Sequence, residues 1–390
     1  MRADGTPGQQ AQFEENYKDM TVAGLFAGIG GLERGFAAAG LHASLLSEVD
    51  PSAIAVLKAR FADAPIAGDV AGIRSLRSNT TVITAGFPCQ DLSPPGGKIG
   101  IFGSRSGLVS HVFRLAASSH SVEWLVLENV HFMLRLDGGR AMSRIVSLVE
   151  ELGWSWAYRT VDVICVLPQR RRRVVLVASS RHDPRQVLFR DDHPGFDERE
   201  PRCGDAVGFY WTEGRSGAGL RREAVPTLKV GSGIGISSAP AILLGDGRLG
   251  TPTIEDAERL QGFPAEWTLP AEGMARSVRW RLVGNAVPSP LAEWVARGIV
   301  APRPLSADIR VGPLHTRRWW PDAAFSVGGK RMAVTIGESF SAHPRPLLSE
   351  FLQKPLVKLS SRAIRGFVLR ARSGGLHWPD GFLDKVEANA

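Results

Sequence analysis

Cysteine is scarce in this chain of 390 residues. The three present, Cys89, Cys165 and Cys203, are too few and too scattered for a disulfide framework or a cysteine-ligated metal cluster. No apolar run approaches the ~20 residues that a membrane-spanning helix needs. Residues 1–19 are polar and lack the apolar core of a secretory leader. These absences point to a cytoplasmic, reducing setting in which each cysteine needs its own explanation. Cys165 lies in the apolar, strand-like run 163–167 and reads as a small buried hydrophobe, whereas Cys203 has no evident role.

What is present is an ordinary globular composition, 44% hydrophobic and 22% charged, with a net charge of +8. The excess is uneven. Residues 302–390 hold 14 Lys and Arg against 7 Asp and Glu, while residues 1–301 hold 33 against 32. A basic excess of this kind points to a polyanionic partner, most simply nucleic acid.

Short apolar strands alternate with amphipathic helices through the first half. Strands are expected at 22–26, 43–46, 82–85, 124–127 and 174–178, and helices at 32–39, 53–60, 109–117 and 142–152. This alternation predicts an α/β fold with a doubly wound sheet whose ligands bind at the carboxyl ends of the strands. Residues 181–248 break the pattern; rich in Gly, Pro, Arg and Asp, they predict a loop-rich, mostly β insertion, with helices resuming at 253–260 and 291–299. In the basic tail, Ser361 is expected to cap a helix running to Arg372, with Ile364, Phe367, Val368 and Ala371 on its apolar face and Arg362, Arg365 and Arg372 opposite.

Four places carry chemistry. Phe26-Ala-Gly28-Ile-Gly30-Gly31 follows the first strand and opens a helix, so its amides can approach a ligand. As a dinucleotide fingerprint it is defective, since Glu33 stands where the third glycine belongs. Glu48, at the end of the second strand, can accept from ribose hydroxyls, and Asp69, past the third, can meet an adenine amino group. Pro88-Cys89-Gln90 follows the fourth strand and precedes a loop rich in Gly and Pro, which exposes a thiol at the sheet edge. Glu128-Asn129-Val130 closes the fifth strand and sets a carboxyl group at the same edge. Gln169 and the four arginines after it lead into a core strand, where alternation predicts that Arg171 and Arg173 point together.

In this order the motifs resemble those of the DNA cytosine-5 methyltransferases, in particular the bacterial restriction–modification type, over roughly residues 21–300. Glu258-Arg-Leu-Gln-Gly-Phe-Pro264 resembles the segment that organises that family's target-recognition domain, and Gly284-Asn285-Ala-Val287-Pro its last motif. The resemblance implies a mixed sheet of the S-adenosylmethionine-dependent methyltransferase type. It implies a catalytic and cofactor-binding domain over 20–180 plus 277–301, a smaller β target-recognition domain over 181–276, and a basic, helical C-terminal extension over 302–390.

Cys89 is then the nucleophile, Glu128 the acid, Arg173 the holder of the ring carbonyl and Arg171 of a phosphate or the loop. S-adenosylmethionine is expected at Phe26, Gly28, Gly30, Gly31, Glu48, Asp69, Pro88, Asn285 and Val287. Double-stranded DNA is expected at Gln90, Ser93, Arg105, Arg215, Arg221, Arg222, Thr227 and Lys229. The family setting implies a cytoplasmic monomer that protects DNA from a cognate restriction endonuclease. Gly24 stands where an Asp often precedes the Leu-Phe of the cofactor motif, which removes one polar contact, and Val49 stands where many members have a larger residue against adenine.

Rival classes fit less. A nicotinamide-dependent oxidoreductase has no use for Pro88-Cys89-Gln90 beside Glu128, and a non-catalytic DNA-binding regulator would not keep every reactive position. RNA methylation by the same chemistry is disfavoured by the sizeable recognition insertion.

Overall fold

The computed structural model of the protein describes residues 20–87, 107–193, 195, 204–215, 217–230, 239–274, 277–305, 309–315 and 319–390. The chain forms two compact units, each assembled from three stretches: 1–161, 172–193 and 287–340 in the first, and 162–171, 194–286 and 341–390 in the second.

In chain order, the first unit opens with β1 (Thr21–Leu25), α1 (Gly31–Ala38), β2 (His42–Ser47), α2 (Pro51–Arg60), β3 (Ile66–Ala67) and β4 (Thr80–Ala85). It continues through α3 (Leu108–Ser118), β5 (Trp124–Val130), α4 (Arg140–Glu151), β6 (Ser155–Asp162), β7 (Arg172–Ser179) and α5 (Arg185–Leu188). The second unit carries β8 (Val207–Phe209), β9 (Arg221–Arg222), β10 (Ala241–Leu243), β11 (Leu249–Gly250), α6 (Ile254–Leu260) and α7 (Val278–Asn285). The chain returns to the first unit with α8 (Ser289–Val300), β12 (Arg310–Pro313), β13 (Ala323–Val327) and β14 (Lys330–Thr335). It finishes in the second with α9 (Leu348–Phe351), α10 (Ser361–Arg372) and α11 (Phe382–Glu387).

The first unit is built on a sheet of order β12-β14-β13-β6-β7-β5-β4-β1-β2-β3. Strands β5, β4, β1, β2 and β3 run parallel, and β7 lies antiparallel to β5. The central strands are buried on both faces, which explains why they read as near-continuous apolar runs such as Trp-Leu-Val-Leu in β5. Helix α2 starts where Asp50 accepts from the Ser52 amide and Pro51 fixes the first turn, a cap that contributes about 1 kcal/mol. Helix α1 packs on α8 through Gly35, where a Cβ would meet the Ser289 carbonyl and the Ala292 side chain.

The tail departs from the expected helical extension. Residues 309–340 add three antiparallel strands to the main sheet, with β13 paired to β6. The Tyr158 hydroxyl donates to the Pro321 carbonyl (2.7 Å), and the Thr160 amide donates to that of Asp322 (2.6 Å). Residues 341–390 belong instead to the second unit. There α10 lays Ile364, Phe367, Val368 and Ala371 against Val207, Phe209, Ala241 and Leu243 of its four-stranded sheet, order β11-β10-β8-β9. The apolar face of α10 is the one expected; its cap is Ser360, which accepts from the Ala363 amide, rather than Ser361. Cys165 is buried as expected, but in a 3-10 turn rather than a strand.

Candidate active site

The turn after β1 is left-handed at Phe26 (φ 56°), Gly28 (φ 55°) and Gly30 (φ 82°). For an aromatic residue that conformation is uncommon, and it persists only where the surroundings enforce it. Glu48 fastens the turn at Gly28. Its Oε2 accepts from the Gly28 amide and its Oε1 from the amides of Val49 and Asp50, each at 2.8 Å. A carboxylate offers about four acceptor positions, so this one keeps room for roughly one further donor. A Cβ on Gly28 would meet open space, but one on Gly31 would lie 2.1 Å from the Val287 carbonyl, so Gly31 is where the segment entering α8 comes closest to the turn.

At the β3 edge of the sheet, Leu45, Gly68, Asp69, Ile73 and Ser75 line an open cleft of ≈ 510 Å³, a size suited to a small-molecule ligand. One Asp69 carboxylate oxygen accepts from the Ala71 amide at 2.9 Å. Val49 is exposed.

Sequence reasoning missed Glu33. In α1 it is only 2% exposed, and its Oε1 accepts from the Thr84 hydroxyl at 3.0 Å. A Cβ on Gly24 would lie 2.2 Å from that same oxygen. The side chain that Gly24 lacks is thus replaced in space by a carboxyl group reaching back from the helix. Burial, reinforced by the charge of Glu48, pushes the Glu33 carboxyl up to about 7.

At the end of β5, Glu128 faces Val175 of β7 and Val130 faces Arg173. Two residues apart on one face, the Glu128 carboxylate and Arg173 Nε meet at 2.8 Å, both nearly buried. Glu128 also neighbours Gly86, whose hypothetical Cβ would stand 3.7 Å from Oε2 and 3.3 Å from the Val287 side chain. Asn129, also missed as a functional residue although it sits inside the Glu-Asn-Val motif, donates from Nδ2 to the Phe87 carbonyl at 3.0 Å. That bond fastens the chain two residues before Cys89. Pro88, Cys89, Gln90, Ser93 and Arg105 lie outside the described residues, as does Cys203.

The expectation that Arg171 and Arg173 share one pocket is corrected. β7 begins at Arg172, and Arg171 belongs to the other unit. At 2% exposure, it donates to the carbonyls of Leu228 (3.1 Å), Gly284 (3.0 Å) and Ala286 (2.8 Å), while its amide donates to Asp162. An arginine committed to three carbonyls braces the backbone rather than gripping phosphate. Gln169 does the same, donating to the Leu260 carbonyl and accepting from the Leu228 amide. Asn285 ends α7 in the second unit and is exposed.

Among the expected DNA contacts, the Thr227 hydroxyl turns inward onto the Arg170 carbonyl (2.7 Å), Arg222 pairs with Asp205, and Arg221 turns back on the Leu220 carbonyl. Lys229 and Arg215 are exposed.

Comparison with known proteins fits this geometry. The sequence model of the family described as "C-5 cytosine-specific DNA methylase" matches residues 20–207. The chain is 44% identical to the Type II methyltransferase M2.BsuMI of Bacillus subtilis (strain 168), over 94% of its own length and 97% of that protein's. It is 27% identical to the Type II methyltransferase M.DsaV of Dactylococcopsis salina, over 73% of its length and 87% of that protein's. In fold it resembles the crystal structure of S. pombe Dnmt2 methyltransferase, with a TM-score of 0.53 at 14% identity, over 72% of this chain and 97% of that one. The strand-end carboxylate and the glycine turn therefore sit in a fold and a sequence of one lineage: the chain belongs to the C-5 cytosine-specific DNA methylases.

Proposed function

We propose that this enzyme transfers a methyl group from S-adenosylmethionine to carbon 5 of a cytosine flipped out of a specific duplex sequence, through a covalent adduct at Cys89. The observation that carries this reading is the Glu128–Arg173 pair at the carboxyl end of β5, with Asn129 holding Phe87 just ahead of the thiol.

The residues present fit the cofactor. The glycine turn after β1, the remaining acceptor position on Glu48 and the cleft beside Asp69 suit a methionine chain, a ribose and an adenine in turn. When bound, the cofactor supplies an electrophilic methyl group on a sulfonium.

The protein's own residues do the rest. Extruding the base costs a few kcal/mol of stacking and pairing, offset by contacts in the pocket. The Cys89 thiolate adds to carbon 6, and the electron pair of the 5,6 double bond moves to carbon 5. Glu128, held in place by Arg173, supports a proton at ring nitrogen 3, so that the ring carries no full negative charge. With the cofactor bound, the pair at carbon 5 would accept its methyl group and the sulfonium would leave as a neutral thioether; a base then removes the carbon-5 proton, the 5,6 double bond re-forms and the thiolate leaves. Addition followed by elimination replaces one forbidding substitution with two accessible steps.

The resemblance to Type II methyltransferases supports a role in protecting DNA from a cognate restriction endonuclease; the same reading takes the protein as a cytoplasmic monomer. No helix among the described residues is long and apolar enough to cross a membrane.

The test is Cys89→Ser. Transfer of tritiated methyl to duplex DNA should vanish while calorimetric binding of S-adenosylmethionine stays close to wild type. Turnover near the wild-type rate would overturn the nucleophile assignment.

A further inference from the structure

The C-terminal segment 341–390 lies outside the motifs that carry the resemblance, yet it forms much of the core of the second unit. Phe209 of β8 packs between Phe367 of α10 and Phe382 of α11, with ring centroids 4.9 and 5.2 Å away, and Trp378 stacks on Phe382 at 5.6 Å. From this platform two residues reach a single turn. Arg370 donates from one guanidinium nitrogen to the Trp211 carbonyl (2.8 Å) and from another to that of Glu213 (3.2 Å). Gly374 lies so close to Arg215 that a Cβ would stand 2.6 Å from its carbonyl oxygen and 2.9 Å from its Cα.

The turn itself is sharply defined. The Tyr210 amide donates to the Ala218 carbonyl (2.7 Å) and closes its base. Gly214 adopts φ 128°, a backbone that side chains rarely tolerate, and a Cβ there would press on Phe367 and Ala371 of α10. Lys229 joins from the neighbouring segment: its Nζ lies 2.9 Å from a Glu213 carboxylate oxygen and 3.7 Å above the Tyr210 ring. Tyr210 in turn donates its hydroxyl to the Thr227 carbonyl at 2.7 Å.

Elimination singles out one side chain. Of the described arginines between residues 204 and 248, Arg221 turns back on the Leu220 carbonyl, Arg222 pairs with Asp205 and Arg248 with Asp246. Arg215 is exposed and has no side-chain partner among the described residues. A guanidinium with no partner among the described residues, on a backbone fixed from behind, is suited to reading a base edge in the major groove, because bidentate geometry rewards a donor held in place.

We propose that the turn Tyr210–Arg215, together with Lys229, selects the DNA target sequence, and that Arg370 and Gly374 are positioning residues that set its conformation. The proposal rests on the DNA methyltransferase reading above and adds the segment that specifies the site.

The test compares the wild type with Arg215→Ala, Arg370→Ala, Arg370→Lys and, as a control, Val386→Ala. Val386 is buried in the same apolar cluster, so its truncation weakens the platform without touching the turn. Each protein methylates a randomised duplex library with S-adenosylmethionine, and sequencing after cytosine conversion gives its preference. Arg215→Ala and Arg370→Ala should lower discrimination between the best site and its single-base variants roughly tenfold, with kcat changing less than KM. Arg370→Lys should recover part of the loss and stands in for Arg370→Ala if that variant does not fold. Val386→Ala should lower Tm yet keep the wild-type preference.

If both Arg215→Ala and the Arg370 variants keep that preference, or if Val386→Ala shifts it as far as they do, the proposal is overturned while the functional reading stands. A wild-type protein that methylates no duplex would overturn both.

Discussion

Glu128 and Arg173 meet across the antiparallel pair β5–β7, at 2.8 Å, from positions two residues out of register on one sheet face. Removing either partner strands the other's charge in a nearly dry site, which costs about 3–5 kcal/mol for a buried pair. Arg173→Ala should therefore lower Tm in thermal melts. Glu128→Gln should cut kcat by roughly 10²- to 10⁴-fold, the usual range for a proton-handling group, while the KM for DNA moves little. The double variant Glu128→Gln/Arg173→Met should recover stability but not turnover. A double variant as unstable as Arg173→Ala would show that the pair's charge is not the source of the loss.

Asn129 offers a separate handle on the thiol. Its amide holds the Phe87 carbonyl, so Asn129→Ala should release the approach to Cys89. Loss of one buried hydrogen bond costs about 1 kcal/mol of stability, but misplacing a nucleophile by an ångström can cost 10²-fold in rate. Single-turnover kinetics should show a slowed methyl transfer with unchanged S-adenosylmethionine affinity. A rate within twofold of wild type would remove Asn129 from the machinery.

Glu33 sets a pH dependence with a definite sign. Its carboxyl is raised from 4.5 to about 7 in the folded protein, chiefly by burial. The folded state therefore holds its proton more tightly than the unfolded chain. The associated stability is complete below pH 4.5 and lost as pH rises through about 7, on the order of 3 kcal/mol in all. Glu33→Gln keeps an acceptor for the Thr84 hydroxyl and cannot ionise. Its Tm should match wild type near pH 4.5 and exceed it increasingly towards pH 8. Parallel Tm curves across that range would show that Glu33 does not titrate there.

The tail is the last test. Ending the chain at residue 301 would strip β12–β14 from the main sheet and uncover Phe209 and Leu243 in the second unit. Each large core side chain left without partners costs roughly 3–5 kcal/mol. The truncated protein should be insoluble or molten by near-UV circular dichroism. A truncated protein with native near-UV signals and full activity would mean that neither unit needs the segment.

Much of this architecture was legible in the sequence, and the parts that were not share a cause. Strands β1, β4, β5 and β7 announce themselves because strands at the centre of the sheet, parallel or, like β7, antiparallel, are buried on both faces and so read as apolar runs. β6 does not: Ser-Trp-Ala-Tyr-Arg-Thr-Val-Asp mixes buried aromatic and polar residues, and its Arg159 donates to carbonyls some thirty to 180 positions away. β12–β14 are short, and their partner in the sheet is that same unread strand, so nothing local marks them.

The site divides similarly. Glu48 and Glu128 could be placed from strand ends alone. The parting of Arg171 from Arg173 could not, because strand alternation applies only inside a strand and β7 starts between them. Glu33 gave no signal, since only the folded backbone shows that its carboxyl fills the space beside Gly24.

The interleaving of the two units bears on how such an enzyme can be altered. The polypeptide passes from one to the other five times, after residues 161, 171, 193, 286 and 340. If the second unit is the recognition module, as proposed above, it is no cassette: exchanging residues 194–286 for those of a relative would import a sheet without its aromatic platform and without the arginine clamp at 162–171. Retargeting by transplantation calls for three coordinated grafts, and changes of target specificity by point substitution, made on an intact scaffold, are the easier route.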